Sequence, residues 1–254
     1  LNLVGFVLEC YGGPGPKALQ RQVIRLSFNL FHGLFNSISV RTLKPAGAFG
    51  APKLTSSIGE IKVAPHGSEN MRIAVMGSGA VGGYFGAKLA AAGNEVAFIA
   101  RGEHLAAMRQ SGLRVTSPNG DLVIRQAQFT DTPAQVGGVE LILFCVKSYD
   151  TEAAADAIAP MVADGCQILS LQNGVDNPEK LARVHGSASV LPAVVYVGAQ
   201  IAAPGLIRHS NGGKIIYGQM DGAVGDAANA LVGTLTAAGI PSEASTAILQ
   251  VQWS

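Results

Sequence analysis

Charge is what this 254-residue chain has least of: Asp, Glu, Lys and Arg make up 14%, against about a quarter in an average soluble protein. Intrinsic disorder needs the opposite balance and is excluded. Net charge is +1, so no basic field is available for a polyanion and no nucleic-acid partner is expected. There are 3 cysteines, Cys10, Cys145 and Cys166, with no C-x-x-C pair among them. Sparse and flanked by apolar residues, they read as reduced thiols, buried as small hydrophobes in a cytoplasmic protein, and no metal site is expected. Long hydrophobic runs are missing too. The longest clean stretch lies near Leu141 to Val146, strand length and far short of the ~18 residues of a membrane helix, so no membrane partner is expected. What is plentiful is apolar material, 48% of residues, together with 32 glycines. That combination reads as a packed core with helices close against a sheet.

The chain divides near Met71. Upstream, seven basic residues (Lys17, Arg21, Arg25, Arg41, Lys44, Lys53, Lys62) face three acids (Glu9, Glu60, Glu69), while the remainder is net acidic. Loop punctuation stands at Gly12-Gly13-Pro14-Gly15-Pro16 and again around Pro45 to Pro52, and only Leu19 to Val40 is apolar enough to order. Three readings of residues 1–70 are open. The preferred one is an extension ahead of a natural start at Met71, outside the fold. A basic, acid-poor targeting peptide is the second, and an additional domain the third.

From Met71 onward strands alternate with helices. Strands are expected at Arg72–Met76, Glu95–Ala100, Leu141–Val146, Gln167–Leu171, Val190–Val197, Leu206–His209 and Lys214–Tyr217. Helices are expected at Val81–Ala92, Glu103–Gln110, Thr151–Ala163, Pro178–Val184 and Asp226–Ala238. Leu113–Thr116 and Leu122–Gln126 flank Pro118-Asn119-Gly120, a hairpin signal. The pattern predicts an α/β fold, a Rossmann-type doubly wound and mainly parallel sheet over residues 71–219. Residues 220–254 then form a connecting helix and the start of an all-helical second domain.

Gly77-Ser78-Gly79-Ala80-Val81-Gly82 is G-x-G-x-x-G. Its context gives it weight, because it follows a strand, opens a helix and sits in a strand–helix–strand unit of about 30 residues. Gly77 permits the turn out of the strand, Gly79 leaves room for a pyrophosphate, and Gly82 lets the helix approach the sheet. The N–H groups at the helix start then face the phosphates. The next strand ends in Arg101, where an NAD binder usually carries Asp or Glu. A guanidinium there binds a 2′-phosphate that a carboxylate repels, so NADP is the expected cofactor. Arg101 also reads as a solvated loop residue with Glu103 close by. Two more candidates fall just past strand ends. Lys147 reads equally as a site residue or a solvated turn, and Asn173-Gly174 as a ligand amide or simply a turn.

Met71 to Gly83, Arg101, Cys145-Val146-Lys147 and Gln172-Asn173-Gly174 recur in this order and spacing in the ketopantoate reductases (2-dehydropantoate 2-reductases). Pro204 to His209 followed by Gly212 to Gly218 does the same. The chain resembles that family from Met71 to Ser254. The resemblance implies NADPH-dependent reduction of 2-dehydropantoate, a small-molecule 2-oxo acid, to pantoate in pantothenate synthesis. It implies that Gly77 to Gly82 hold the pyrophosphate, that Arg101 faces the 2′-phosphate and that Lys147 contacts the cofactor. It places Asn173 against both cofactor and substrate, Gln200 near a further cofactor contact, and His209 in a structural position. The family's proton donor is a lysine just after a tryptophan. Here Trp253 is followed by Ser254, so the expected catalytic lysine lies beyond Ser254. The chain therefore reads as a fragment without a catalytic residue of its own. A reductase of another 2-oxo acid and a non-catalytic NADP-binding module are the alternatives.

Overall fold

The computed structural model describes residues 70–223 and 226–253, without the side chains of Asp226 and Ala227, and the backbones of four earlier strands. Cys10 and both loop-punctuated stretches of the N-terminal segment lie outside the described residues. The four early strands, Val7–Glu9, Val23–Phe31, Leu34–Leu43 and Glu60–Ile61, pair in that order, each antiparallel to the next. Leu19 to Val40 overlaps the two longest of them. They belong to a unit spanning Leu1–Gly67, and Ser68–Ser254 forms the other unit.

The second unit is built on a ten-stranded sheet. In chain order its elements are β1 (Arg72–Met76), α1 (Ala80–Ala91), β2 (Glu95–Ile99), α2 (Gly102–Ser111), β3 (Leu113–Thr116), β4 (Leu122–Ile124) and β5 (Gln128–Thr130). Then follow β6 (Val139–Phe144), α3 (Thr151–Ile158), β7 (Val162–Ser170), α4 (Asn177–His185), β8 (Val190–Ala203), β9 (Leu206–Tyr217), α5 (Asp226–Ala237), β10 (Ser242–Ala244) and α6 (Ile248–Val251). The strand order is β4-β3-β9-β8-β7-β6-β1-β2-β5, with β10 added on β9. Only the β3–β4 and β8–β9 pairs are antiparallel; the sheet is mainly parallel, as the alternating pattern implies.

Strands buried on both faces run apolar, as Ile73–Met76 of β1 and Leu141–Phe144 of β6 do. Along β1, Ile73 and Val75 enter one core with Tyr84, Phe85 and Leu89 of α1, while Ala74 and Met76 enter a second with Ala154, Ile158 and Leu181 of α3 and α4. Each buried side chain of this size contributes about 1.5–3 kcal/mol. On the first face the helix lies close because it is glycine-rich: a Cβ on Gly82 would sit 2.8 Å from Val75 Cγ1, and one on Gly86 2.7 Å from Phe98 Cε1.

Several element boundaries differ from the sequence reading. Helix α3 stops at Ile158, well before Ala163, and a 3-10 turn over Ala159–Met161 carries Pro160. Proline has no N–H for the helical ladder, so the chain leaves the helix and Val162 already pairs in β7. Leu206 to Tyr217 is one strand, not two. Gly212 and Gly213, at φ 77° and 115°, make a bulge in the gap expected between two strands, and the register slips between Tyr196 and Val197. The boundary at residue 219 divides residues that the structure joins. Ala228, Leu231 and Leu235 of α5 lie in the first core, and β10 pairs parallel with β9. Strands β5 and β10 have three residues each, too few for periodicity to register. Among the described residues, no helix is long and apolar enough to cross a membrane.

Candidate functional site

Strand order puts the site at one place. The chain steps from β1 to β2 on one side and later to β6 on the other, so the C-terminal ends of β1 and β6 flank the crevice of an open α/β sheet. Register does the rest. Met76 pairs with Ile99 and with Phe144, and Phe144 pairs with Ser170. Four strands thus end on one line. Four of the residues chosen from sequence follow that line: Gly77 after β1, Arg101 after β2, Lys147 after β6 and Asn173 after β7.

A cleft of about 260 Å³ opens there. Its floor is Met76 to Gly79, its sides are Ile99 to Arg101 and Cys145 to Lys147, and His104, Asp150, Ala154 and Ile201 complete it. The glycine loop is held by its neighbours. Gly77 and Ser78 both donate N–H to the Ile99 carbonyl, at 3.2 and 2.8 Å. Gly77 has φ 95°, and a Cβ there would press within 2.9 Å of the Cys145 carbonyl carbon; only glycine suits both the dihedral and the space. The Ser78 side chain is buried and directed at the Val75 carbonyl, 3.3 Å away, so it offers nothing to a ligand. Gly79 differs: nothing lies nearer a Cβ there than Ile201 Cδ1 at 4.0 Å. Helix α1 starts behind it with no side-chain cap and no acid in its first turn. Its free N–H groups thus stand ready for an anion. Ala80 and Val81 are half-buried and Gly82 is buried against β1; neither Ala80, Val81 nor Gly82 lines the cleft.

Arg101 is the N-cap of α2, exposed at the cleft wall, and makes no ion pair among the described residues. Lys147 is exposed and caps the 3-10 turn Ser148–Asp150. Asn173 is exposed but stands outside the cleft lining. Its backbone is tied to the Lys147 turn, because Ser148 Oγ and Asn177 Nδ2 donate to its carbonyl at 3.1 and 2.7 Å. Beneath them Gln172 Nε2 donates to the Val146 carbonyl at 3.0 Å and to Thr151 Oγ1 at 2.8 Å. Thr151 Oγ1 is 3.1 Å from Asn177 Oδ1. Gln172, Thr151 and Asn177 are buried, and together they lock the ends of β6 and β7 in mutual position. Gln200 is an exposed residue of β8 that the cleft does not include; its neighbour Ile201 takes that place, because alternate strand residues face opposite ways.

Sequence reasoning missed His104. Its Nε2 stands 2.9 Å from the Ser78 carbonyl, and its Nδ1 accepts the Gly205 N–H at 3.0 Å. Burial holds its pKa below the ordinary histidine value, with the Ser78 hydrogen bond opposing the shift. No spacing rule points to it, since it lies in a helix whose only visible signal is apolar periodicity. Cys145 also lines the cleft, half-buried, and desolvation pushes its thiol far up, which disfavours the thiolate. His209 is buried and stacks on Tyr84 with centroids 4.2 Å apart. Its ring nitrogens meet Ser117 Oγ at 2.8 Å and the Asn211 carbonyl at 2.9 Å, a structural placement remote from the cleft.

A glycine loop at the switch point of a doubly wound sheet, opening a helix that has no side-chain cap, defines a Rossmann-type domain. The particular family follows from comparison with known proteins. The family model "Ketopantoate reductase PanE/ApbA" matches residues 73–222, and the chain belongs to that family of oxidoreductases. It is 36% identical over 154 residues to the 2-dehydropantoate 2-reductase of Halobacterium salinarum, covering 60% of this chain and 50% of that protein. With the Archaeoglobus fulgidus enzyme of the same name it is 35% identical over 174 residues, covering 68% and 55%. Among solved structures, a PanE/ApbA family ketopantoate reductase from Ralstonia eutropha superposes with a TM-score of 0.67 at 39% identity, over 72% of this chain and 59% of that one. The 2-dehydropantoate 2-reductase of Porphyromonas gingivalis does so with a TM-score of 0.67 at 40% identity, over 71% and 66%. The chain spans about half the length of the curated relatives it matches.

Proposed function

We propose that this chain carries the cofactor-binding half of an NADPH-dependent reductase that converts 2-dehydropantoate to pantoate, in the cytoplasm and as a step of pantothenate synthesis. The observation that carries the reading is the shared cleft edge, where the glycine loop, Arg101 and Lys147 converge with a space over Gly79 that a side chain would fill. NADPH, when bound, supplies the hydride for the keto carbon. The protein groups do the rest. Gly79 and the first turn of α1 present N–H groups to the pyrophosphate. Arg101 receives the 2′-phosphate, for which its planar fork and permanent charge are suited. Lys147 adds a second cation to the cleft. Asn173, set by Ser148 and Asn177, offers its amide to the cofactor and to the oxo acid, and Gln200, exposed on β8 beside the cleft residue Ile201, adds a further cofactor contact.

The reduced oxygen also needs a proton. Of the side chains lining the cleft, His104 has both ring nitrogens engaged and burial pushes the Cys145 thiol far up, which makes it a weak acid, while Arg101 and Lys147 are assigned to the cofactor. Binding and turnover are expected to separate, with the 254-residue chain binding NADPH well and reducing the oxo acid slowly. The test is titration of the chain and of Arg101→Ala with NADPH and NADH. An Arg101 hydrogen bond to the 2′-phosphate is worth about 1.5–3 kcal/mol, or roughly 10- to 150-fold in affinity. The unsubstituted chain should prefer NADPH by that order and the variant should lose the preference. Equal affinities for both cofactors before substitution would refute the assignment. Rapid NADPH oxidation with 2-dehydropantoate would show that Lys147 or another group in this chain suffices as the acid.

A further inference from the structure

We infer that His104 is a positioning residue, a latch that joins the glycine loop to the turn of the β8–β9 hairpin and so aims the loop at its ligand. The inference rests on the dinucleotide reading of the cleft. Gly205, in the turn between β8 and β9, is buried, and its N–H has a single acceptor, His104 Nδ1 at 3.0 Å. An imidazole nitrogen that accepts a hydrogen bond carries no proton. The ring is then neutral with its proton on Nε2, and that N–H donates to the Ser78 carbonyl 2.9 Å away. One side chain thereby joins three elements: α2, which bears it, the glycine loop and the hairpin turn.

The consequence for the loop comes from peptide planarity. In a trans peptide the C=O of one residue and the N–H of the next point in opposite directions. Pinning the Ser78 carbonyl therefore fixes the direction of the Gly79 N–H. That N–H makes no hydrogen bond among the described residues, while Gly79 itself lines the cleft. The other end of the latch matters as well. The hairpin carries Ile201, which faces the open space over Gly79, and its turn rests on α2, where a Cβ on Gly205 would meet Ala107 Cβ at 3.0 Å. His104 thus sets both the donor group and the wall opposite it.

The two ring nitrogens can be removed separately. Glutamine places an amide N–H near the position of Nε2 and lacks the Nδ1 acceptor. Asparagine places a carbonyl oxygen near Nδ1 and lacks the distal donor. NADPH affinity and backbone amide hydrogen exchange are measured for the 254-residue chain and its His104→Gln, His104→Asn and His104→Ala variants. One lost hydrogen bond of about average strength corresponds to roughly fivefold in affinity. Affinity should fall by that order in the Asn and Ala variants and less in the Gln variant, which keeps the donor to Ser78 and loses only the hold on the hairpin. The Gly205 amide should stay protected with Asn and exchange faster with Gln and Ala. Equal affinities of the Gln and Asn variants, or losses that simply follow the thermal midpoint, would overturn the latch. If the unsubstituted chain does not bind NADPH, the dinucleotide reading fails by itself. The latch is then judged on exchange alone, and an unchanged Gly79 amide in the Asn variant overturns it. In every case nitrogen-detected NMR of the unsubstituted chain must show the Nε2–H tautomer; a proton on Nδ1 at neutral pH would also overturn it.

Discussion

Replacing Gly79 by alanine separates ligand space from folding. Gly79 sits at φ −74° and ψ −151°, extended backbone with a negative φ, and a new Cβ there meets no atom nearer than Ile201 Cδ1 at 4.0 Å. The fold has no reason to object, apart from a few tenths of a kcal/mol at a helix N-cap. The added methyl nevertheless occupies the space through which a pyrophosphate must approach the N–H groups of α1. Holding the phosphates off these donors forfeits charge-assisted hydrogen bonds worth about 1.5–3 kcal/mol, or roughly 10- to 150-fold in NADPH affinity. Gly82→Ala is the opposite case. Its Cβ would lie 2.8 Å from Val75 Cγ1 and against the Gly77 carbonyl oxygen. Overpacking of this kind costs about 1–3 kcal/mol, which for a unit of this size lowers the thermal midpoint by roughly 2–12 °C. Fluorescence titration with NADPH and calorimetry on both variants provide the assay. Gly79→Ala should lose affinity at an unchanged midpoint, and Gly82→Ala should lose midpoint. A Gly79→Ala variant that binds like the unsubstituted chain would refute the phosphate cradle, as would a loss of affinity matched by a loss of stability.

Thr151→Val removes the hydroxyl that receives Gln172 Nε2 and faces Asn177 Oδ1. It leaves buried polar groups short of a partner and should cost about 1–3 kcal/mol, read as a lower midpoint in calorimetry; no change would mean the network is not rigid. Stability should also fall below pH 6.5, because burial keeps the folded His104 pKa under its unfolded value. The unfolded chain then takes up the proton first, so the contribution is complete above about 6.5 and is lost as pH drops toward the folded pKa. Denaturation between pH 7.5 and 5 should show a shallower slope for His104→Gln, and equal slopes would exclude His104 as the cause. A chain starting at Met71 should keep its midpoint and NADPH affinity, since the described residues of both cores all lie at or after Met71. A drop of several degrees on deletion would refute this.

Much of the site was legible because it is written in local rules. A loop between a strand and a helix must turn, so Gly77 stands out, and register carries Arg101, Lys147 and the Gln172-Asn173 pair to one edge once the strands are parallel. Gln172 and Asn173 take different parts on folding. The former is a buried brace to Val146 and Thr151, and only the latter is exposed.

The sequence alone determined the alternation of strands and helices, the parallel character of the sheet and the glycine loop, because hydrophobic period and glycine placement are properties of neighbouring residues. It could not determine that α5 and β10 complete the sheet, that Gly212 and Gly213 bulge one long strand, or that Ile201 stands over Gly79. Nor could it show that His104 reaches a glycine 101 residues away. Those facts depend on which distant segments pack together. A hydrogen bond across such a separation leaves no periodic trace in the chain, since its partners are selected by the fold as a whole.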